Sequence, residues 1–268
     1  MTVGPPHTRK SLARDLAELG LAPGDTVMVH TAFRKVGPVL GGPDALIDGL
    51  LDVVGATGSV VSYQDWELGA DVWDDKGRVL DSLRPHVPPF HPQTARPARD
   101  HGIVALMIGT RRGVRRSANP GASIAVLGAR ADELTRAHSL EDGYGPGSPL
   151  SRLVDAGGRV LMVGAPLDTM TLLHHAEALA DLPGKRRVRI EYPLLADGGG
   201  TDWRWAEEFD TSRPVVDGLD DLYFATVVRD YLATGSGAQG RVGSADSVLV
   251  DAADIIAHAV EWLEKRPR

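Results

Sequence analysis

The chain contains no cysteine. That excludes disulfides, thiolate metal sites and a cysteine nucleophile together. An acyl transfer carried out by this protein therefore uses another nucleophile or passes directly from donor to acceptor. Long apolar runs are missing too. Nothing approaches the length of a membrane span, and residues 1–10 have no apolar segment of the secretory type. A cytosolic protein without a membrane partner is expected. Positive charge is in deficit, with 29 Lys and Arg against 36 Asp and Glu and a net charge of −7. This argues against a nucleic-acid partner and suits a cationic small ligand, although many soluble proteins are acidic for solubility alone. The Gly-rich turn from Gly143 to Pro149 is no Walker loop, because no Gly-Lys-Ser/Thr follows it. There is no internal repeat, low-complexity tract or linker, so residues 1–268 read as one domain. The sequence carries no signal for an oligomeric state.

What is present is an alternation of helices and short apolar strands. Lys10 to Leu19 reads as an amphipathic helix ended by Gly20. Thr26 to His30 is a buried strand, Asp44 to Val54 a helix stopped by Gly55, and Ser59 to Tyr63 the next strand. Helix, strand, helix, strand points to an α/β layer architecture. Further strands are expected at Ser123 to Leu127, Arg159 to Val163 and Asp246 to Val250. Helices are expected at Ile103 to Thr110, Ala129 to Thr135, Leu219 to Ala233 and Ala252 to Lys265. Asp197-Gly198-Gly199-Gly200 joins two strands, Arg187 to Tyr192 and Thr201 to Glu207, as a hairpin. Residues 68–100 hold five prolines and no clean period, and read as an irregular loop or lid.

One stretch concentrates the chemistry. After the strand ending at Val163 comes Gly164-Ala165-Pro166-Leu167-Asp168-Thr169, then Met170-Thr171-Leu172-Leu173-His174-His175-Ala176-Glu177. It reads as a turn and a helix, with Asp168 or Thr169 as the cap and Pro183-Gly184 as the stop. At about 100° per residue, Thr171, His174, His175, Glu177 and Asp181 share one side. Leu172, Leu173, Ala176, Leu179 and Ala180 face the core. Residues three apart on a helix are neighbours, so Glu177 can hold His174, the layout of an oriented general base. The plain alternative is a solvated face with a casual His–Glu pair. Two other clusters have similar alternatives. Gln64-Asp65-Trp66-Glu67 follows a strand's C-terminal end, where ligands gather in α/β sheets, or else Trp66 simply caps the core. Arg111, Arg112, Arg115 and Arg116 with Ser117 suit phosphate groups, or else form a solvated turn. His86, His91 and His101 match no ligand spacing, and adjacent His174 and His175 point about 100° apart on a helix, so no metal is expected.

Taken together, these stretches resemble the aminoglycoside 3-N-acetyltransferase family. The resemblance rests on Val29-His30-Thr31 with Phe33 and Gly37, Gly41-Gly42, and Arg116-Ser117 with Pro120. It continues through Ser148-Pro149, Thr171 to Glu177, Pro183 with Lys185-Arg186, and Phe209-Asp210-Thr211. It covers nearly the whole chain in order. The resemblance implies a three-layer α/β/α fold with a mixed central sheet, distinct from the GNAT acetyltransferases. It implies acetyl-CoA as donor and the 3-amino group of a 2-deoxystreptamine aminoglycoside as acceptor, the reaction of antibiotic resistance. Carried over residue by residue, His174 is the general base and Glu177 its partner. Thr31, Phe33, Arg34 and Gly37 belong to the loop that meets the cofactor. Ser117, Ser148 and Thr171 are hydroxyls of the cofactor channel. Trp66, Glu67, Glu208 and Asp210 form the acidic acceptor pocket. Ala32 stands where the family usually has Ser, and Asn119 where it usually has a His that Asn cannot replace in titration. Two other readings remain beside it. One is transfer to another primary amine, and the other is a non-catalytic protein that binds aminoglycosides or CoA.

Overall fold

Central strands buried at nearly every position must be covered on both faces, and that requirement organises this chain. The structure is a computed structural model and describes residues 5–66, 68, 72–211 and 213–265. The first half runs α1 (Arg9–Glu18), β1 (Thr26–Thr31), α2 (Gly42–Val54), β2 (Ser59–Tyr63), α3 (Gly102–Gly109), β3 (Arg115–Arg116) and β4 (Ile124–Gly128). Then come α4 (Ala131–Thr135), α5 (Pro149–Asp155), β5 (Arg159–Val163), α6 (Leu173–Leu179), β6 (Arg187–Leu195) and β7 (Thr201–Phe209). The chain closes with α7 (Tyr223–Ala233), β8 (Ala238–Val242), β9 (Ala245–Asp251) and α8 (Ala252–Glu264).

Seven strands form one sheet in the order β3-β4-β2-β1-β5-β9-β8. β1 pairs in parallel with β2 and β5, whereas β4, β9 and β8 join antiparallel, so the sheet is mixed. Side chains alternate across it. On β5, Val160 and Met162 enter one core cluster, and Leu161 and Val163 enter the other. The first cluster also takes Leu150 of α5, Leu173 of α6 and Ile255 of α8. The second takes Leu12 of α1, Leu46 of α2 and Ile108 of α3. Helices therefore cover both faces, giving the three-layer α/β/α architecture. β6 and β7 pair only with each other, as a separate hairpin.

Several expected elements shift. The helix expected from Leu219 starts at Tyr223, and the one expected from Ala129 starts at Ala131. β8 was not expected. Its residues Ala-Gln-Gly-Arg-Val are mostly exposed on the sheet edge and carry no apolar period. The described part of 68–100 holds no α-helix. It is fastened along β6, with Trp73 Nε1 donating to the Glu191 carbonyl at 2.9 Å and Arg84 bonding the Glu191 carboxylate at 2.6 Å. The arginine cluster disperses. Arg111 binds Asp44 and Asp48 at 2.5 and 2.8 Å, Arg115 binds Asp132 at 2.9 Å, and Arg116 bonds Ser123 and the carbonyls of Gln64 and Ala95. Neighbouring positions on a turn and strand point apart, so Arg111, Arg115 and Arg116 find separate partners. Among the described residues no helix is long and apolar enough to cross a membrane.

Candidate active site

β1, β2 and β5 run in the same direction, and their C-terminal ends open onto one cleft of about 940 Å³. Thr31 and His30 from β1, Tyr63 from β2 and Ala165 just after β5 line it. This is where an open α/β sheet binds its ligand.

The central stretch folds differently from the long capped helix expected of it. Leu167–Thr169 form a single 3₁₀ turn in which the Thr169 hydroxyl bonds the Pro166 carbonyl. Neither Asp168 nor Thr169 caps a helix. α6 begins only at Leu173, with no side-chain cap, and spans seven residues. Its polar side is not solvated either. Thr171, His175 and Glu177 are buried, whereas Leu179, expected inside, is exposed. Tyr223 of α7 and the Tyr144 carbonyl supply the hydrogen bonds that water would have made with Glu177 and His175.

His174 and Glu177 meet as their spacing predicts. His174 Nδ1 lies 2.5 Å from Glu177 Oε2. The other oxygen, Oε1, accepts the hydroxyl proton of Tyr223. A carboxylate held this way is an acceptor for an Nδ1 proton and so favours the tautomer protonated there. The imidazole sits between the rings of Tyr144 and Phe224, each 5.0 Å away. Its side chain keeps 18% exposure, and it lines the cleft. His175 turns to the Tyr144 carbonyl at 2.7 Å, and burial holds its pKa below the ordinary value. The two adjacent histidines thus point to different partners.

Of the other expected residues, Thr31, Phe33, Arg34 and Thr171 line the same cleft. Thr31 Oγ1 is buried there without a partner. Phe33 and Arg34 open the 3₁₀ turn Phe33–Val36, so their N–H groups precede its internal bonds. Gly37 ends that turn at φ +89°, where a Cβ would meet the Ser244 hydroxyl at 2.9 Å. Ser117 is not brought to the cleft. It is fully buried, accepting the Ile124 N–H and bonding His138 Nδ1 at 2.9 Å. Ser148 is buried as the cap of α5, accepting the Ser151 N–H. Both hydroxyls are consumed by the backbone, as Ser commonly is at turns and caps.

The expected acceptor residues also divide. Trp66 is half-buried against Phe90, with ring centroids 5.3 Å apart. Glu67 lies outside the described residues. Glu208 is buried, with Oε1 unpartnered, and burial lifts its pKa to about 7 against the opposing amide of Asn119. It does not line the cleft. Asp210 is half-buried, 3.9 Å from Arg213, and one residue before cleft-lining Thr211. Asn119, in the usual His position, is fully buried. Its Oδ1 accepts the N–H groups of Gly121 and Ala122, and its Nδ2 donates to the Ser139 carbonyl at 2.7 Å.

Sequence reasoning missed the opposite wall. Asp65 and His101 are joined there through Asp65 Oδ1 and His101 Nε2. Burial alone would lower the His101 pKa, but the bond to Asp65 and the charges of Asp65 and Asp100 raise it above the ordinary value. His101 stands edge-on to Tyr63 at 4.9 Å. Tyr63 shares a 2.7 Å hydroxyl contact with Tyr144, whose ring flanks His174. His30 Nε2 is buried and unpartnered, and burial next to His101 lowers its pKa to about 4. The only signal for this wall was the position of Asp65 just past a strand end.

The sequence profile described as aminoglycoside 3-N-acetyltransferase matches residues 28–264. Aminoglycoside N(3)-acetyltransferase VII of Streptomyces paromomycinus is 44% identical over 270 residues, covering 97% of this chain and 93% of the relative. Among solved structures, AAC-IIIb in a binary complex with CoASH superposes with a TM-score of 0.96 at 56% identity, covering 98% of each chain. AAC-VIa bound to sisomicin has a TM-score of 0.88 at 37% identity, covering 97% of this chain and 98% of that one. With its fold and nearly its whole length matched, the chain belongs to the aminoglycoside 3-N-acetyltransferase family.

Proposed function

We propose that this protein transfers the acetyl group of acetyl-CoA to the 3-amino group of a 2-deoxystreptamine aminoglycoside, with His174 as general base and Glu177 as its positioning partner. The observation that carries the reading is the 2.5 Å contact between His174 Nδ1 and Glu177 Oε2 at the wall of the cleft. Acetyl-CoA supplies the thioester carbonyl as a co-substrate. The residues fit such a donor. Arg34 is an exposed cation on the cleft, suited to a pyrophosphate. The unpartnered Thr31 hydroxyl and the leading N–H groups of Phe33 and Arg34 are available to oxygens.

An aminoglycoside amine is largely an ammonium near neutral pH and cannot attack. Asp65, Asp100 and Asp168 on the cleft favour that cation and keep it protonated. A neutral imidazole must then remove the proton. Glu177 is buried, so its charge acts on His174 with little screening. It accepts the Nδ1 proton and so orients the ring, leaving Nε2 to take the proton of the amine. The freed amine takes the acetyl group directly, and no acyl-enzyme is required of a chain without cysteine. Backbone N–H groups at Phe33 and Arg34 are the candidates for holding the developing oxyanion.

The test is mass spectrometry of gentamicin and apramycin incubated with acetyl-CoA, locating any added acetyl group. A single acetyl on the 3-amino group is expected. His174→Ala should lower kcat by at least about 10²-fold, the usual scale for loss of a general base. Near-normal turnover in that variant removes His174 from the role.

A further inference from the structure

We propose that His101 sets the affinity of the cleft for its cationic acceptor: its imidazolium holds Asp65 while the cleft is empty, and an arriving ammonium takes Asp65 and expels the His101 proton. The inference rests on the proposed acceptor being a polyamine, and it concerns a residue pair outside the His174–Glu177 dyad.

The argument starts from placement. Asp65 and His101 come from different parts of the chain, the turn after β2 and the residue before α3, and both line the cleft. They form a direct ion pair that is only partly exposed, at 23% for the imidazole and 30% for the carboxylate. Both groups are therefore reachable by a ligand, yet screened less than a surface pair. Among the described residues, the charged and titratable neighbours of His101 are few. Asp100 Oδ1 lies 3.9 Å from its Nε2 on the same turn. Arg116 of β3 opposes protonation from one side, and His30 of β1 adjoins it, held neutral in the ordinary range by burial. Tyr63 of β2 packs edge-on against the ring, and burial keeps its hydroxyl protonated. Among the described residues, the charge of the pair thus depends on Asp65, Asp100, Arg116 and the occupant of the cleft.

An ammonium and an imidazolium cannot both contact one carboxylate without repelling each other. Binding then exchanges one cation for another. The imidazolium–carboxylate pair and a substrate ammonium become a neutral imidazole, an ammonium–carboxylate pair and one proton released to the buffer. By linkage, acceptor affinity must rise with pH wherever His101 is protonated in the empty protein, by up to about tenfold per pH unit for one proton released. The same exchange favours a polyamine over a neutral sugar, because a neutral ligand cannot replace the proton at Asp65.

The experiment is isothermal calorimetry of sisomicin binding to the wild-type chain and to His101→Gln. It is run in two buffers of different ionisation enthalpy, between about pH 5.5 and 8 where imidazoles titrate. The wild type should release close to one more proton per sisomicin than His101→Gln. Its Kd should fall more steeply as pH rises, while the variant binds more tightly at the acid end. Equal proton counts and parallel pH slopes overturn the proposal. Protons taken up or lost by sisomicin itself are common to both proteins and cancel. If His101→Gln does not fold, the His101 ring is followed by nitrogen NMR in the wild type, where adding sisomicin should convert it to the neutral form. A ring that stays protonated in the complex overturns the proposal equally. Failure of sisomicin to bind at all would instead count against the proposed acceptor, so the two outcomes are distinguishable.

Discussion

Glu208 offers a prediction that can be worked from the structure. Its carboxyl is buried between Gly121 and Gly143, against the Tyr192 hydroxyl, and one oxygen has no partner. Burial lifts its pKa from 4.5 to about 7. The folded state therefore holds a proton that the unfolded chain gives up above about pH 4.5. The sign follows directly. This stabilising contribution is complete below pH 4.5, declines as pH rises, and is gone above pH 7. At about 1.4 kcal/mol per tenfold in proton affinity, it amounts to about 3 kcal/mol. The wild type alone would conceal it. His30 and His138 are buried histidines lowered to about 4, and their contribution runs the other way, lost as pH falls from 6.5. The difference between wild type and Glu208→Gln isolates the carboxyl, because glutamine keeps the shape and does not titrate. Urea unfolding at intervals from about pH 5 to 8 should give similar stabilities at the acid end. At the alkaline end the variant should be more stable by about 2–3 kcal/mol. Parallel curves would refute the reasoning, since Glu208 would then have the same proton affinity in both states.

Three further outcomes are expected. Glu177→Gln should lower kcat by about 10- to 10²-fold with little change in KM, because it leaves the base in place but removes the carboxylate that orients it; steady-state kinetics with varied acceptor would read this split, and an unchanged kcat would contradict it. Gly143→Ala should destabilise the fold by about 1–3 kcal/mol, since a Cβ there would meet Ala122 at 2.6 Å and the Asn119 amide at 3.0 Å; a thermal unfolding midpoint at the wild-type value would count against this packing. Arg111→Ala should leave the KM for acetyl-CoA unchanged and cost at most about 1 kcal/mol of stability, because Arg111 is occupied by Asp44 and Asp48; a raised KM would restore the arginine cluster to a phosphate-binding role.

Local pattern was enough for most of the elements and for the meeting of one His–Glu pair. β2 and β5 have the bounds that their apolar runs indicated, because a strand buried on both faces writes its length directly in the chain. His174 and Glu177 are three residues apart, and a helix brings such residues together whatever surrounds it. The ordered set of short motifs was legible for the same reason and carried the family. Tertiary structure decided the remainder of the site. Asp65 is 36 residues from His101, Tyr223 is 46 from Glu177, and Tyr63 is 81 from Tyr144. No periodicity links such pairs, since only the closure of the sheet and the packing of α7 over α6 bring them into contact. Burial was decided there as well. Ser117, Ser148 and Glu208 have the residue types of a binding site, but the strands and turns around them enclose their polar atoms. A side chain's chemistry belongs to the sequence, whereas its access to solvent and ligand depends on which distant segments pack against it.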